Sequence, residues 1–179
     1  MRRPGKKILL SEIEIGDPNH SYAYAVALLA RRDYSTRELR KKLQDRGYLE
    51  GAIEPVLIDL EETRKLDDQR YGDNVVAYRA RRGHGPARIR HELRKAGVAA
   101  DVVESAVKTG EDAPDFLKLA RAVRARKFGA EIPQDRKERA RQARFLQYRG
   151  FSTDHIRAVL EGDPEEDSGT DQDGAPDQP

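Results

Sequence analysis

The sequence predicts an all-α fold of three tandem three-helix repeats, stacked into an elongated, curved molecule with disordered termini. Ala and Arg, which are good helix formers, are abundant, and Pro and Gly occur at short punctuating sites until the C-terminus. A helix that ends in glycine recurs three times. Leu, Ile, Val and Phe make up only 37 of the 179 residues, so we expect each repeat to need its neighbours for a core.

The N-terminal segment, residues 1–18, precedes the first repeat, and we expect a flexible arm there. A short apolar and polar alternation over residues 7–15, bracketed by glycine and proline, leaves a short strand open as the alternative.

The first repeat is predicted at residues 19–66. Its first helix, near residues 19–32, carries apolar side chains at helical spacing, at Tyr22, Val26 and Leu29. Ser35 and Glu38 form an S-x-x-E capping box that predicts the start of the second helix. The third helix follows Gly47.

The second and third repeats are predicted at residues 67–111 and 112–161. Their first helices lie near residues 68–82 and 115–127, and Pro86 suits the first turn of the helix that follows in the second repeat. A longer connection after the first helix of the third repeat predicts a bend.

A glycine followed by an apolar residue ends the middle helix of each repeat. The three pairs are Gly47 with Tyr48, Gly97 with Val98, and Gly150 with Phe151. Glycine adopts the left-handed conformation that satisfies the last helical carbonyls, and the apolar residue packs back on the helix. The third copy departs at Gln142, where the others have Leu39 and Ile89.

The charge is divided unevenly along the chain. The net charge is +2, from 34 Lys and Arg against 32 Asp and Glu. Every basic residue precedes residue 161 and eight acids follow residue 160, so residues 1–160 carry +10. The composition of residues 162–179 predicts a disordered acidic tail. This tail is either a solubilising appendage or a competitor for the basic surface.

Composition excludes several classes of protein. Without Cys the chain has no disulfide framework and no thiolate metal site, and a reducing cytoplasm is its expected location. The longest apolar run, residues 22–30, is about half the length that a membrane span needs. No signal-peptide core follows the basic N-terminus, so we expect no membrane partner.

No catalytic constellation is recognisable. The four histidines are scattered, at His20, His84, His91 and His155. The adjacent acids Glu61 and Glu62 diverge by about 100° on a helix and form a solvated face, while Asp67 or Asp68 is a helix N-cap. The Gly-His-Gly-Pro run at residues 83–86 lacks a phosphate-binding pattern. We therefore expect a non-enzymatic protein with no cofactor and no metal.

Arginine-rich segments around residues 79–94 and 136–149 supply the candidate binding residues. The candidates are Arg79, Arg81, Arg82, His84, Arg88, Arg90, Arg94, Arg139, Arg141, Arg144 and Arg149. As a field they attract polyanions or acidic protein surfaces; individually, each has the alternative of a solvated face. The neighbouring aromatic residues fit the apolar helical stripe, and we expect core positions for Tyr71, Tyr78, Phe145 and Tyr148.

Four ordered motifs resemble the RecX family. They are YAVALLARRDYS from residue 24 with Glu38 and Leu39, LDDQRY from residue 66, RARRGHGPARI from residue 79 and RFLQYRGFS from residue 144. The resemblance covers about residues 20–161. Tyr71 stands where the family usually has Phe, and Asp33 with Tyr34 replaces the more common Glu-His.

This resemblance implies a bacterial, cytoplasmic, non-catalytic regulator of the RecA recombinase. Its partner is then the RecA nucleoprotein filament, bound in the groove or at the end, with single-stranded DNA contacted weakly or indirectly. Family members limit filament extension, ATP hydrolysis by RecA, strand exchange and cleavage of the SOS repressor. We expect a monomer. The alternative that the residues leave open is a helical protein that binds DNA directly and acts without RecA.

Overall fold

The structure is a computed structural model that describes residues 10–108 and 113–161. Within these ranges all regular secondary structure is α-helical, in ten helices, which confirms the all-α class. The predicted disorder of residues 162–179 lies outside the described residues, as do residues 1–9 of the predicted arm. No helix in the described part of the chain is long and apolar enough to cross a bilayer.

The N-terminal region contains one helix more than the repeats require. The first four helices are α1 (Glu12–Gly16), α2 (Pro18–Leu29), α3 (Thr36–Arg46) and α4 (Glu50–Glu62). The short strand considered for residues 7–15 is wrong over α1. Ser11 and Glu14 close a capping box there, with the Ser11 amide donating to the Glu14 carboxylate at 2.7 Å. Local capping therefore overrides the alternating apolar pattern.

The second and third repeats follow the predicted order of three helices each. The second consists of α5 (Asp68–Arg81), α6 (Pro86–Lys95) and α7 (Ala100–Lys108), and the third of α8 (Phe116–Phe128), α9 (Arg136–Arg149) and α10 (Thr153–Glu161). Pro86 is the first residue of its helix, as predicted.

The three glycine turns have the same hydrogen bonds. Gly47, Gly97 and Gly150 have φ values of 109°, 84° and 90°. Each glycine amide donates to the carbonyl three residues earlier, and the next amide donates to the carbonyl five residues earlier, at 2.9–3.2 Å. The apolar residues that follow are all buried. This pair of bonds is the Schellman motif, which confirms the sequence prediction at all three sites.

The predicted cap of α3 forms only in part. The Ser35 hydroxyl accepts a hydrogen bond from the Glu38 amide at 3.1 Å, so Ser35 is the N-cap. The Glu38 carboxylate, however, accepts from Arg32 at 3.0 Å and does not close the box. The Ser35 hydroxyl also donates to the Ala96 carbonyl at 2.6 Å. The N-cap residue of α3 thus also forms a hydrogen bond between the first repeat and the second.

The described residues belong to two compact bodies. Of the described residues, the first comprises 10–79, 89–108 and 113–114, and the second comprises 80–88 and 115–161. In the first body α2 and α3 pack on α4 around fully buried leucine and isoleucine side chains. The Ser21 hydroxyl donates to the Ala52 carbonyl at 2.7 Å, so this small residue bonds across the packed pair of helices.

In the second body α10 packs on α8 and α9. Residues 83–87 join this body because their backbone pairs with the turn after α9. The Gly85 amide donates to the Arg149 carbonyl at 2.8 Å, and the Ala87 amide donates to the Gly150 carbonyl at 3.0 Å. The repeat boundary in the sequence and the boundary of the compact bodies therefore differ.

The departure at Gln142 has a structural cause. Gln142 and Arg124 are both buried, at 3% and 5% exposure. The Arg124 guanidinium donates to the Gln142 side-chain carbonyl at 3.2 Å and to the backbone carbonyls of Ala130 and Glu131 at 2.6 and 2.8 Å. Gln142 thus satisfies a buried cation that also holds the connection between α8 and α9.

Candidate functional site

Three of the predicted arginines form ion pairs within the first body. The Arg79 guanidinium pairs with Glu92, with Nε at 2.9 Å from Oε1. Arg90 and Arg94 share Glu104, at 3.0 and 3.4 Å. Their charges are therefore partly neutralised by neighbouring helices, and their contribution to a binding surface is smaller than the sequence predicts.

Glu104, the acid that Arg90 and Arg94 share, is kept in its ionised form. Lys108 also contacts Glu104, at 3.2 Å. Partial burial would raise the pKa of Glu104, but the hydrogen bonds from Lys108 and Arg90 outweigh it and lower the pKa below its ordinary value. One carboxylate balances three cations, so the cluster keeps an excess of positive charge.

A groove of the first body has mixed charge. It encloses about 410 Å³ and is lined by Arg37, Glu38, Lys41, Tyr71, Glu92, Lys95 and Ala96. Tyr71 is 8% exposed, which confirms its predicted core position. Burial, followed by the charge of Glu38, raises the pKa of Tyr71 to about 12. The paired acids make this groove a weaker candidate for a polyanion site.

The remaining candidates before α9 lie at residues 81–88, around the connection between α5 and α6. We call these residues the corner of the second body. Arg81, Arg82 and Arg88 are exposed, and His84 is half-buried. The guanidinium of Arg149 donates to the Arg82 carbonyl at 3.2 Å. The corner residues and the end of α9 are therefore brought together, although they are more than sixty residues apart in sequence.

Along α9 the predicted arginines have different environments. Arg139 is half-buried and donates to the Pro133 carbonyl at 3.3 Å. Arg141 is exposed and pairs with Glu138 at 2.8 Å, and this bond together with that from Gln142 lowers the pKa of Glu138. Arg144 is exposed and makes no ion pair or hydrogen bond with another described residue. Arg144 is therefore available to a partner.

A basic and aromatic groove lies between the end of α8 and the exposed face of α9. It encloses about 380 Å³ and is lined by Lys127, Phe128, Arg141, Arg144, Phe145 and Tyr148. We call it the α8–α9 groove. The rings of Phe128 and Phe145 meet edge to face with centroids 5.3 Å apart. The lining thus has three cations, three aromatic rings and no acid.

Cation–π contacts place the positive charges beside the aromatic rings of the groove. The Lys127 ammonium is 4.0 Å from the centroid of the Phe145 ring. The Arg141 guanidinium carbon is 5.1 Å from the centroid of Phe128. That of Arg149 is 5.2 Å from the centroid of Phe145. At these distances the ring faces attract the cations.

Tyr148 is the most exposed aromatic ring of this groove and contradicts the sequence prediction. It is 78% exposed, where we expected a core position, and Tyr78 at 47% contradicts the same expectation. Phe145 is half-buried. The guanidinium carbon of Arg88 lies 5.9 Å from the centroid of the Tyr148 ring. The corner of the second body therefore contributes a cation beside this ring.

The spacing along α9 explains the error. Gln142 and Leu146 are four residues apart and define the buried face. At 100° per residue, Arg141, Arg144 and Tyr148 fall about 140° to 160° from Leu146, on the opposite face. The positions 141, 144, 145 and 148 form a second helical stripe, and this stripe is the signal that would have indicated the groove.

Comparisons with known proteins agree with the repeat architecture. Profiles of the first, second and third three-helix domains of RecX match residues 22–60, 67–107 and 114–160. The chain is 47% identical over 143 residues to a regulatory protein RecX of Halorhodospira halophila, covering 80% of this chain and 88% of that protein. It is 45% identical over 138 residues to one of Pseudomonas syringae, covering 77% and 88%.

Solved structures share the fold at lower sequence identity. A crystal structure of RecX from Lactobacillus salivarius superposes with a TM-score of 0.70 at 18% identity, covering 84% of this chain and 97% of that chain. A second, described as a regulatory protein RecX, gives 0.69 at 19% identity, covering 90% and 82%. These similarities concern the fold alone.

Proposed function

Because this chain belongs to the RecX family of regulatory proteins, we propose that it is a non-enzymatic negative regulator of RecA. It binds the filament of RecA on single-stranded DNA, in the groove or at the end, as a monomer. Binding inhibits filament extension and with it ATP hydrolysis, strand exchange and cleavage of the SOS repressor. Family membership over most of the chain is the observation that carries this proposal.

The exposed corner of the second body is the surface we assign to this function. Arg81, Arg82 and Arg88 are exposed, and neither Arg81 nor Arg88 forms an ion pair with another described residue. Exposed guanidinium groups bind phosphates and acidic protein surfaces bidentately. The corner therefore suits either component of a nucleoprotein filament.

Charge reversal tests the corner. The triple variant Arg81→Glu, Arg82→Glu, Arg88→Glu is expected to lose inhibition of RecA ATP hydrolysis on single-stranded DNA, because like charges repel where opposite charges attracted. Helical content by circular dichroism should stay unchanged. Titration of the protein against a fixed amount of filament measures the effect.

A matched control separates this surface from net charge. Arg31, Lys41 and Lys42 are exposed in the first body, and reversing all three changes the net charge by the same amount. We expect this control to inhibit as the wild type does. Unchanged inhibition by the corner variant, or an equal loss in both variants, would reject the corner as the contact surface.

The α8–α9 groove favours a second candidate function, a DNA-binding protein that acts without RecA. That function requires tight binding to bare DNA with a steep inverse dependence on salt. Weak affinity for bare DNA together with strong binding to a RecA filament would exclude it.

A further inference from the structure

We propose that the α8–α9 groove holds single-stranded DNA directly, with one base stacked on Tyr148 and the adjoining phosphates on Lys127, Arg141 and Arg144. The groove lies within the second body, so the site needs no residue of the first body. The choice of DNA over RNA rests on the proposed function. The stacking itself is argued from the residues alone.

The first argument is the exposure of the ring. Tyr148 is 78% exposed on a helix whose opposite face is buried. A solvent-exposed tyrosine ring gains contact area when a planar base covers it, and every base has a face that can do so. The guanidinium carbon of Arg88 lies over this ring, 5.9 Å from its centroid, and adds a cation beside the site for the base.

The second argument is the charge of the lining. Lys127, Arg141 and Arg144 are exposed, and no acid lines the groove. Glu138 offsets Arg141 from outside it, whereas Arg144 has no ion pair or hydrogen bond among the described residues. A groove with cations beside aromatic rings combines the two features by which proteins hold single strands, which are phosphate attraction and base stacking.

The third argument excludes the competing ligands. A duplex keeps its base faces stacked inside the helix, so it offers the phosphates but no ring for Tyr148. The acidic side chains of a peptide engage the three cations but offer no aromatic face to stack on the tyrosine ring. The volume of about 380 Å³ is that of a site for one small organic group, which fits a single unstacked nucleotide.

The test compares an oligothymidylate of about 15 nucleotides with an abasic strand of the same length, because both carry the same phosphates and only one has bases. Fluorescence anisotropy at low salt measures the affinity of the full chain for each. Tyr148→Ala is expected to weaken binding of the oligothymidylate by about 5- to 150-fold. The affinity of the Tyr148→Ala variant for the abasic strand should change by less than about twofold. Tyr148→Phe keeps the ring and should bind both strands as the wild type does.

Two controls complete the design. Tyr78→Ala removes another exposed tyrosine that also has an arginine beside its ring, Arg79 at 5.3 Å, but in the first body. It should leave both affinities unchanged. Arg144→Glu removes a phosphate contact and should weaken the binding of both strands by the same factor. Thermal unfolding followed by circular dichroism checks that each variant is folded.

The outcomes separate the alternatives. No loss in Tyr148→Ala, or an equal loss for both strands, would overturn the stacking proposal. Tighter binding of the matched RNA strand would overturn the choice of DNA, and displacement by a polyglutamate peptide with no preference for bases would assign the groove to an acidic protein surface. RecA is absent from these binding measurements, so a negative result here does not affect the proposed regulation of RecA. A negative result in the ATP hydrolysis test likewise does not affect the stacking proposal.

Discussion

At the scale of single residues, burial decides what the polar side chains do. Gln142 occupies the place of Leu39 and Ile89 because its carbonyl accepts from the buried guanidinium of Arg124. A leucine there would leave that nitrogen one acceptor short in a low-dielectric environment. The exception to the repeat is therefore as informative as the repeat, since it indicates a polar contact in the core of the second body.

Tyr71 provides a prediction about pH. Burial raises its pKa to about 12 from an ordinary value near 10. Below pH 10 the phenol is neutral in both states; between pH 10 and 12 the unfolded chain releases the proton while the folded chain retains it. The free energy of unfolding should therefore fall by roughly 2–3 kcal/mol over this interval.

The variant Tyr71→Phe isolates this effect, because it removes the titrating group and keeps the ring. We expect this variant to lose less stability between pH 10 and 12. Near pH 7 it should cost about 1 kcal/mol, because the hydrogen bond of the Tyr71 hydroxyl to Glu38 is lost. Urea unfolding at a series of pH values measures both. Parallel curves for the two proteins would contradict the assignment.

At the scale of helices and turns, three helices end in the same glycine turn, and the third of these turns also contacts another segment of backbone. The Schellman turns end α3, α6 and α9 with equivalent hydrogen bonds. The turn at Gly150 also pairs with the backbone of another segment, since the Gly85 and Ala87 amides donate to the carbonyls of Arg149 and Gly150. Glycine at 85 allows this approach because a side chain has no room between the two backbones.

Substitution of Gly85 tests this close approach. A Cβ at Gly85 would lie 2.4 Å from the carbonyl group of Gly150 and from the Phe151 amide nitrogen. These are backbone atoms that cannot rotate away, so Gly85→Ala should destabilise the protein by about 1–3 kcal/mol or more. The midpoint of urea unfolding measures the loss.

The control is Gly51→Ala in α4. A Cβ at Gly51 meets no atom within 4 Å, so alanine should stabilise the helix by about 0.5–1 kcal/mol. Equal midpoints for the two alanine variants would show that the approach at Gly85 is not under steric constraint.

At the scale of the whole molecule, the charge is divided between a basic part and an acidic end. Residues 1–160 carry +10, and residues 161–179 contain eight acids and no Lys or Arg. A nucleic-acid partner therefore meets a positive surface together with a covalently attached polyanion. The effective concentration of the attached polyanion near that surface is high because the two are linked.

Removal of the acids tests whether they compete for the basic surface. Deleting residues 163–179 is expected to raise the affinity for single-stranded DNA most at low salt, where charges interact over the longest range. The gain should shrink as salt is added. Anisotropy titrations across a salt series provide the measurement.

A length-matched control replaces the seven acids of residues 163–179 with Asn and Gln. This variant should show the same gain in affinity as the deletion if the charge of the tail weakens DNA binding. An affinity that does not change at any salt concentration would leave the tail with a solubilising role.

The sequence by itself determined the helical class, the three repeats, the glycine turns and the family. These features depend on short-range periodicity and on residues within five positions of each other, which a linear pattern contains. The exposure of Tyr148 and the pairing of Arg79 with Glu92 and of Arg124 with Gln142 were decided only by the tertiary structure. Helical spacing identifies which residues share a face, but packing against other helices determines which face is buried and which cations find an acid.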